Sequence, residues 1–356
     1  IHDQILSLAW VRDNIANFGG NPERVTIMGE SAGGAAVLHL MCAPAARGMF
    51  HAAVAQSPPA ASVHSRRQAE MWVHELIDGM GMSRLSTLED LRKADAADLV
   101  RTGQSMLFNG KELVQFNTAF MPTVDGITLK AHPIDVFDMG KQAAVPLIIG
   151  TNADEASFAK TMYQTIKQRQ RAARRALSVY DPDNATQVMR VYGDVVGRRD
   201  FAELIADAVF WAPSVLVATA HRQVADTWMY RFDYASEAMR RIGLGAVHTS
   251  DLAPVFGDPH ATRASKIDRF APVEDFQEVS RMMQYHWGEF FHHGRPGEEW
   301  PEYGFRDEDV PGRATAIFDR EFSVLFDPKA RQRRAWEGFD MREWGIGRAE
   351  LVEDDE

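Results

Sequence analysis

The five residues Gly29-Glu30-Ser31-Ala32-Gly33 constrain the fold more than any other part of the chain. They lie between an apolar run, Val25-Thr26-Ile27-Met28, and a second one that reads as helix, from Ala35 to Met41. A strand that becomes a helix within so few residues must hold the residue at the turn in an unfavourable φ/ψ region. Glycines on both sides remove the Cβ atoms that would collide with the neighbouring backbone. This is the nucleophile-elbow pattern, Gly-x-Ser-x-Gly between strand and helix. It leaves the Ser31 hydroxyl at the strand tip. The unpaired N–H groups and positive dipole end of the helix stand beside it, suited to a developing oxyanion. A tight turn without chemistry uses the same residues, so the pattern takes its meaning from the rest of the chain.

Apolar runs at Ala52-Ala53-Val54-Ala55, Val145-Pro146-Leu147-Ile148-Ile149-Gly150 and Thr227-Trp228-Met229-Tyr230-Arg231-Phe232 predict three further strands. Pro146 is tolerable because the first residue of a strand need not donate. Asp3 is expected to cap a helix with apolar positions Ile5, Leu8, Ala9, Val11, Ile15 and Phe18, closed by Gly19-Gly20. Ser86 with Glu89 reads as a capping box. Residues 160–225 are mostly helical in pattern, and a helix around 275–292 ends near Gly294. Strands alternating with helices predict an α/β fold with a mostly parallel central sheet flanked by helices.

The net charge of −11 gives no basic surface for nucleic acid. The local cluster Lys167, Arg169, Arg171, Arg174 and Arg175 reads as a solvated helix face. No run of about 20 apolar residues stands out, so no membrane span is expected. The single cysteine, Cys42, follows the elbow helix and is expected to be buried. It cannot form an intramolecular disulfide, and a cytoplasmic setting is expected. The chain opens on Ile1 directly in helix, which reads as the later part of a longer protein whose leader, if any, lies upstream. The tail Glu353-Asp354-Asp355-Glu356 is expected to fray.

A serine hydroxyl is a poor nucleophile at neutral pH, so it needs a histidine base and a carboxylate to orient that base. In α/β-hydrolases the chain order is Ser, then Asp or Glu, then His. Reactive groups of an open parallel sheet lie beyond the C-terminal ends of its strands. The strand ending at Gly150 is followed by two carboxylates, Asp154 and Glu155, and position alone does not choose between them. The strand ending near Tyr234 is followed by His248. Of its competitors, His292 and His293 read as surface residues at a helix end, His39 lies in the elbow helix, and His221 lies on a helix that reads as polar.

Motifs along nearly the whole chain resemble the type-B carboxylesterase family, which includes cholinesterases, liver carboxylesterases and bacterial para-nitrobenzyl esterases. Phe18-Gly19-Gly20-Asn21-Pro22 with Gly29-Glu30-Ser31-Ala32-Gly33 is similar to that family's elbow block. Met49-Phe50-His51 to Gln56-Ser57 is similar to the next, and Gly150-Thr151-Asn152 with Asp154-Glu155 to its acid block. Gly245-Ala246-Val247-His248 with Val255-Phe256-Gly257 is similar to its histidine block. The resemblance implies Glu155 as the triad acid and His248 as the base, and places Ser57 in the buried network beside them. Glu30 is expected to make a structural pair. The chain departs from the family where Ala156 and Thr249 replace common glycines and where Pro58-Pro59 follows Ser57.

The resemblance further implies an α/β-hydrolase fold and a serine hydrolase that cleaves small carboxylic esters through an acyl-enzyme, with no metal or organic cofactor. Residues 1–356 are expected to form one α/β-hydrolase domain, the C-terminal portion of the family's longer domain. Helical insertions at 160–225 and 257–285 are expected to bring Phe201, Phe210, Trp211 and Phe270 around an apolar gorge over Ser31. The family's glycine-rich loop, which gives two N–H groups to the oxyanion hole, precedes the matched blocks. Only the Ala32 N–H is assigned as a donor in this chain. The alternatives are a non-catalytic binding protein of the same fold and an inactive fragment. All three triad positions are filled, which argues against the first.

Overall fold

The computed structural model describes residues 1–107, 119–259, 273–304 and 312–342. Six strands form one sheet in the order of the chain: β1 (Thr26–Glu30), β2 (Ala52–Gln56), β3 (Leu147–Asn152), β4 (Thr227–Phe232), β5 (Ala314–Phe318) and β6 (Phe322–Phe326). Neighbours from β1 to β5 are parallel, and β5 and β6 close the sheet as an antiparallel pair. Among the described residues β1 pairs with β2 alone. The four predicted strands are present within a residue or two of their sequence limits. The hairpin β5–β6 is an addition, and its short run Ala314-Thr315-Ala316-Ile317-Phe318 carries little sequence signal because two of five residues are alanine.

Period-two alternation divides the strand side chains between two cores. Ala53 and Ala55 of β2, Leu147 and Ile149 of β3 and Met229 of β4 face one side. There they meet the elbow helix α2 (Ala32–Cys42) through Val37, Leu38 and Met41. Ala52, Val54, Ile148, Trp228, Tyr230 and Phe232 face the other side. That side is covered by the helix Val273–His293, whose Trp287 and Phe290 are almost fully buried. Trp287 meets Tyr230, Trp300 and Phe318 with ring centroids 5.3, 5.8 and 5.7 Å away. All strand C-termini from β1 to β4 point to one edge, where the polar ends Glu30, Gln56 and Asn152 interrupt otherwise apolar strands.

Residues 166–221 are a run of helices: Ile166–Tyr180, Pro182–Val191, Arg198–Ala206 and Ala212–His221. The last two join through a π-helical turn, Asp207–Trp211. Pro213 explains the turn: it has no N–H, and its ring crowds the carbonyl a turn earlier, so the helical ladder widens ahead of it. The Ser214 hydroxyl donates to the Phe210 carbonyl at 2.6 Å and satisfies an acceptor in that stretch. The continuous run Arg198–His221 is long and apolar enough by composition to cross a membrane, which the sequence reading did not single out. It is a core helix here, with 78% of its apolar window buried in the fold.

Several local expectations are corrected. Asp3 does not cap the first helix, α1 (His2–Asn14); Ile1 occupies that position and Asp3 sits in the first turn, where a carboxylate still favours the helix dipole. The capping box lies one residue later than Ser86 and Glu89. Thr87 accepts from the Asp90 N–H, and the Asp90 carboxylate accepts from the Thr87 N–H. His221 is buried, not on a polar face: it bridges the Val145 carbonyl at 2.8 Å and the Gln142 amide at 3.0 Å. Arg169 leaves the solvated cluster, for its guanidinium is buried against the carbonyls of Tyr163, Gln164 and Val196. Cys42 is buried, and burial raises its thiol pKa out of reach of ordinary chemistry.

Candidate active site

Ser31 ends β1 and caps α2 with φ 58° and ψ −122°, a conformation that costs a residue with a Cβ about 1–3 kcal/mol. The turn survives because its surroundings fix it. The Ser31 N–H donates to the Gln56 carbonyl at 2.9 Å, and the Ser31 carbonyl accepts from the Ala35 N–H at 2.9 Å. Gly29 is obligatory, because a Cβ there would lie 2.3 Å from the Gly33 backbone carbonyl. Ala32 is the first residue of α2, so its N–H has no acceptor within the helix and is free for an oxygen placed at Ser31.

The three other strand ends bring the partners. His248 Nε2 is 2.7 Å from Ser31 Oγ, and His248 Nδ1 is 2.6 Å from Glu155 Oε2. A carboxylate only accepts, so Nδ1 carries the proton and Nε2 accepts from the serine hydroxyl. Glu155 is buried, and its second oxygen accepts from the Ser57 hydroxyl at 2.5 Å and from the Asn152 N–H at 2.6 Å. Asp154, the adjacent carboxylate, points elsewhere. It accepts from the Ala246 N–H at 3.2 Å and stands 3.8 Å from Lys160 Nζ, holding the loop that carries His248. Gly245 makes room for it, since a Cβ there would lie 2.0 Å from the Asp154 carboxylate. The two candidate acids thus divide the work: one orients the imidazole and the other fixes its loop.

Ser57 is fully buried with φ 45° and also accepts from the Asn152 amide at 3.3 Å. Glu30 is brought against the site itself. Its Oε1 is 3.3 Å from His248 Nε2 and has no hydrogen-bond partner among the described residues. Burial raises its pKa to about 7, with the His248 charge opposing and Asp251 and Glu155 adding to the rise. For His248, burial disfavours the imidazolium, but the Glu155 hydrogen bond and the charges of Glu155, Glu30 and Asp251 outweigh it. The net effect raises the imidazole pKa above its ordinary value.

Asp251 is a buried carboxylate beside the site that sequence reasoning did not single out. Fully buried, it accepts from Tyr230 Oη at 2.6 Å and Gln56 Nε2 at 2.8 Å, with Asn152 Nδ2 at 3.4 Å. Burial raises its pKa, with the Tyr230 and Gln56 hydrogen bonds opposing. The available signal was Gln56 and Asn152, polar residues at the C-terminal ends of apolar strands. Such side chains are affordable there only if something pairs with them.

Ser31 opens into a cavity of about 510 Å³. Its walls include Phe120, Met121, Phe158, Ile205, Val209 and Phe210. Of the aromatic residues expected there, Phe210 alone takes part among the described residues. Phe201 is buried edge-on against Tyr163 at 5.4 Å, and Trp211 turns away to lie beneath Lys329 Nζ at 4.9 Å. Phe270 lies outside the described residues.

Thr249, which replaces a common family glycine, has φ 74°. A β-branched side chain is strained in that region. Thr249→Gly is expected to raise stability by about 1 kcal/mol, the strain relief exceeding the added freedom of the unfolded chain. An unchanged or lower urea midpoint would contradict this. Glu30 gives a second expectation. A carboxyl whose folded pKa of about 7 exceeds its ordinary value of 4.5 loses stability as pH rises through that window. Glu30→Gln is expected to remove this loss. It also takes a carboxylate from beside His248, so the pH at which the imidazole becomes neutral falls. Unfolding curves and a histidine NMR titration from pH 4 to 9 read both effects.

Residues 1–312 match the carboxylesterase family. The chain is 30% identical over 338 residues to the para-nitrobenzyl esterase of Bacillus subtilis, covering 93% of this chain and 66% of that protein. It is 31% identical over 337 residues to carboxylesterase 1D of Rattus norvegicus, covering 85% of this chain and 58% of the relative. The chain therefore spans less than two thirds of the length of either. A solved para-nitrobenzyl esterase structure superimposes with a TM-score of 0.79 at 29% identity, over 94% of this chain and 68% of that one. A Geobacillus stearothermophilus carboxylesterase gives 0.79 at 28% identity with the same coverage. These esterase structures, the parallel sheet and the elbow at its edge agree on the α/β-hydrolase fold, and the chain belongs to the carboxylesterase family.

Proposed function

We propose that this protein hydrolyses small carboxylic esters through an acyl-enzyme on Ser31. The observation that carries the reading is the unbroken relay Ser31 Oγ–His248–Glu155, with links of 2.7 and 2.6 Å, opening on a cavity with mainly apolar walls. As His248 Nε2 takes the hydroxyl proton, Ser31 Oγ forms a bond to the ester carbonyl carbon. The resulting oxyanion is met by the Ala32 N–H and the dipole of α2. Glu155 keeps the imidazole in the tautomer that can accept the proton, and stabilises the imidazolium once it forms. The tetrahedral intermediate collapses, the C–O bond to the alcohol breaks, and His248 returns the proton to the leaving oxygen. Water repeats the sequence on the acyl-enzyme, giving the carboxylic acid and restoring Ser31.

The cavity chemistry favours esters over peptides. Its walls give a large apolar contact for acyl or alcohol groups, while Asp154, which could have formed a polar clamp, is committed to Ala246 and Lys160. The family relatives, a para-nitrobenzyl esterase and carboxylesterases by name, support the same substrate class.

Ser31→Ala tests the reading. It is expected to lower turnover of para-nitrophenyl acetate by roughly 10⁴–10⁶-fold, the scale seen when a triad nucleophile is removed. It should also abolish labelling by a fluorophosphonate. Labelling or turnover that survives the substitution places the chemistry elsewhere.

A further inference from the structure

The face of the His248 imidazole is covered. The Phe210 ring lies against it with centroids 4.6 Å apart and planes inclined by 29°, the only ring stacked on His248 among the described residues. That separation is within the range of offset aromatic stacks. The partner of this stack matters because His248 becomes an imidazolium each time it takes the Ser31 proton, and a cation over an aromatic face is attracted by the ring quadrupole. The neutral imidazole gains less. The stack therefore favours the charged form, which is the form present when the tetrahedral intermediate exists.

The position of Phe210 is built, not incidental. The ring belongs to the π-helical turn Asp207–Trp211 ahead of Pro213. Asp207 at the start of that turn is buried and pinned by Lys329 Nζ at 2.7 Å and by the Tyr192 hydroxyl at 2.5 Å. Trp211 at its end packs beneath the same ammonium group. Asp207, Trp211 and Lys329 line a different pocket from the one that opens on Ser31. With the turn held at both ends there, Val209 and Phe210 are left facing the cavity. Such a turn, held by a buried ion pair and widened by a proline, fixes a side chain more firmly than a loop would.

We infer that Phe210 is a positioning residue for the reaction. Its ring holds the His248 imidazole in line between Glu155 and Ser31, and it stabilises the imidazolium through its π face. The inference rests on the ester-hydrolase reading of the same site. The charged and titratable groups around His248 are Glu155 at the end of β3, Glu30 at the end of β1 and Asp251 ahead of the helix Leu252–Phe256; Asp207, on the Phe210 turn, is turned away toward Lys329. The carboxylates act on the imidazole edge and through space. Phe210 is the contribution to its face, and it carries no charge, so its effect is separable from theirs.

Three replacements separate this role from a simple wall. Phe210→Leu keeps an apolar side chain and removes the π face. Phe210→Tyr keeps the face. Pentafluorophenylalanine at position 210 keeps the ring shape and reverses its quadrupole, which covers the case in which the leucine variant folds poorly. With para-nitrophenyl acetate, whose acyl group is too small to need the wall, Phe210→Leu and the fluorinated ring are expected to lower kcat roughly three- to tenfold with KM within about twofold. The tyrosine variant should stay near the native rate. The His248 pKa, read by NMR from its ring Cε1–H signal, should fall by about half a unit in the first two and not in the third. A native His248 pKa in the leucine and fluorinated proteins overturns the inference, as does a loss confined to KM. If the native protein turns over no ester, the reading of the site fails, while the NMR comparison still decides whether Phe210 acts on His248.

Discussion

The site depends on how the carboxylate of Glu155 is shared. One oxygen accepts a hydrogen bond from His248 Nδ1–H, and the other accepts from the Ser57 hydroxyl and the Asn152 N–H. Each donor comes from a different chain segment: the end of β2, the end of β3 and the loop after β4. A buried carboxylate without partners costs several kcal/mol, and these three donors satisfy it. The sheet register makes this possible. Gln56 lies opposite both Glu30 and Gly150, which sets the ends of β1, β2 and β3 side by side. Beneath Glu155, Asp251 ties Gln56, Asn152 and Tyr230 together, so the same strands are joined twice by buried hydrogen bonds.

Three of the seven non-glycine residues with positive φ among the described residues lie at this edge of the sheet. Ser31, Ser57 and Thr249 all have positive φ without being glycine, and each lies within or beside the relay. Strain of this kind persists only where neighbouring contacts over-determine the conformation. Gly29 and Gly245 supply the complementary concession, close approaches that a Cβ would forbid. The opposite face of the wall carries its own constraint in the Asp207–Lys329 pair, which presents Phe210 to the imidazole. Four carboxyl groups thus lie within a small volume with different partners: Glu155 pairs with His248 Nδ1, Asp154 with the loop that carries His248, Asp251 with the strand ends, and Glu30 stands beside Nε2.

Much of this was legible in the sequence, for physical reasons that can be named. The elbow is a local motif, and its glycines and flanking apolar runs announce both strand and helix. Four parallel strands were visible as β-rich runs bounded by turn residues. The choice of Glu155 over Asp154 was not legible from the residues, because two adjacent carboxylates after a strand differ only in the direction of their side chains. The family resemblance supplied that choice; in the structure Asp154 contacts Ala246 and Glu155 contacts His248 Nδ1. The β5–β6 hairpin was missed because its first strand is rich in alanine. Asp251 and the Phe210 stack were missed because both arise from long-range contacts. The face on which Phe210 emerges depends on one extra residue in a helical turn, which shifts every later side chain around the helix axis. The expectation that Phe201 and Trp211 line the cavity failed because Phe201 packs against Tyr163 and Trp211 against Lys329, contacts distant in the sequence.

The central claim is that Ser31 itself carries the acyl group during turnover. Rapid mixing with para-nitrophenyl acetate, followed by acid quench and peptide mass analysis, measures this directly. The account predicts a burst of para-nitrophenol approaching one equivalent per active chain, with one acetyl group on the peptide containing Ser31. An acetyl group on a different residue, or turnover with no acyl-peptide and no burst under conditions that trap the intermediate, would contradict it.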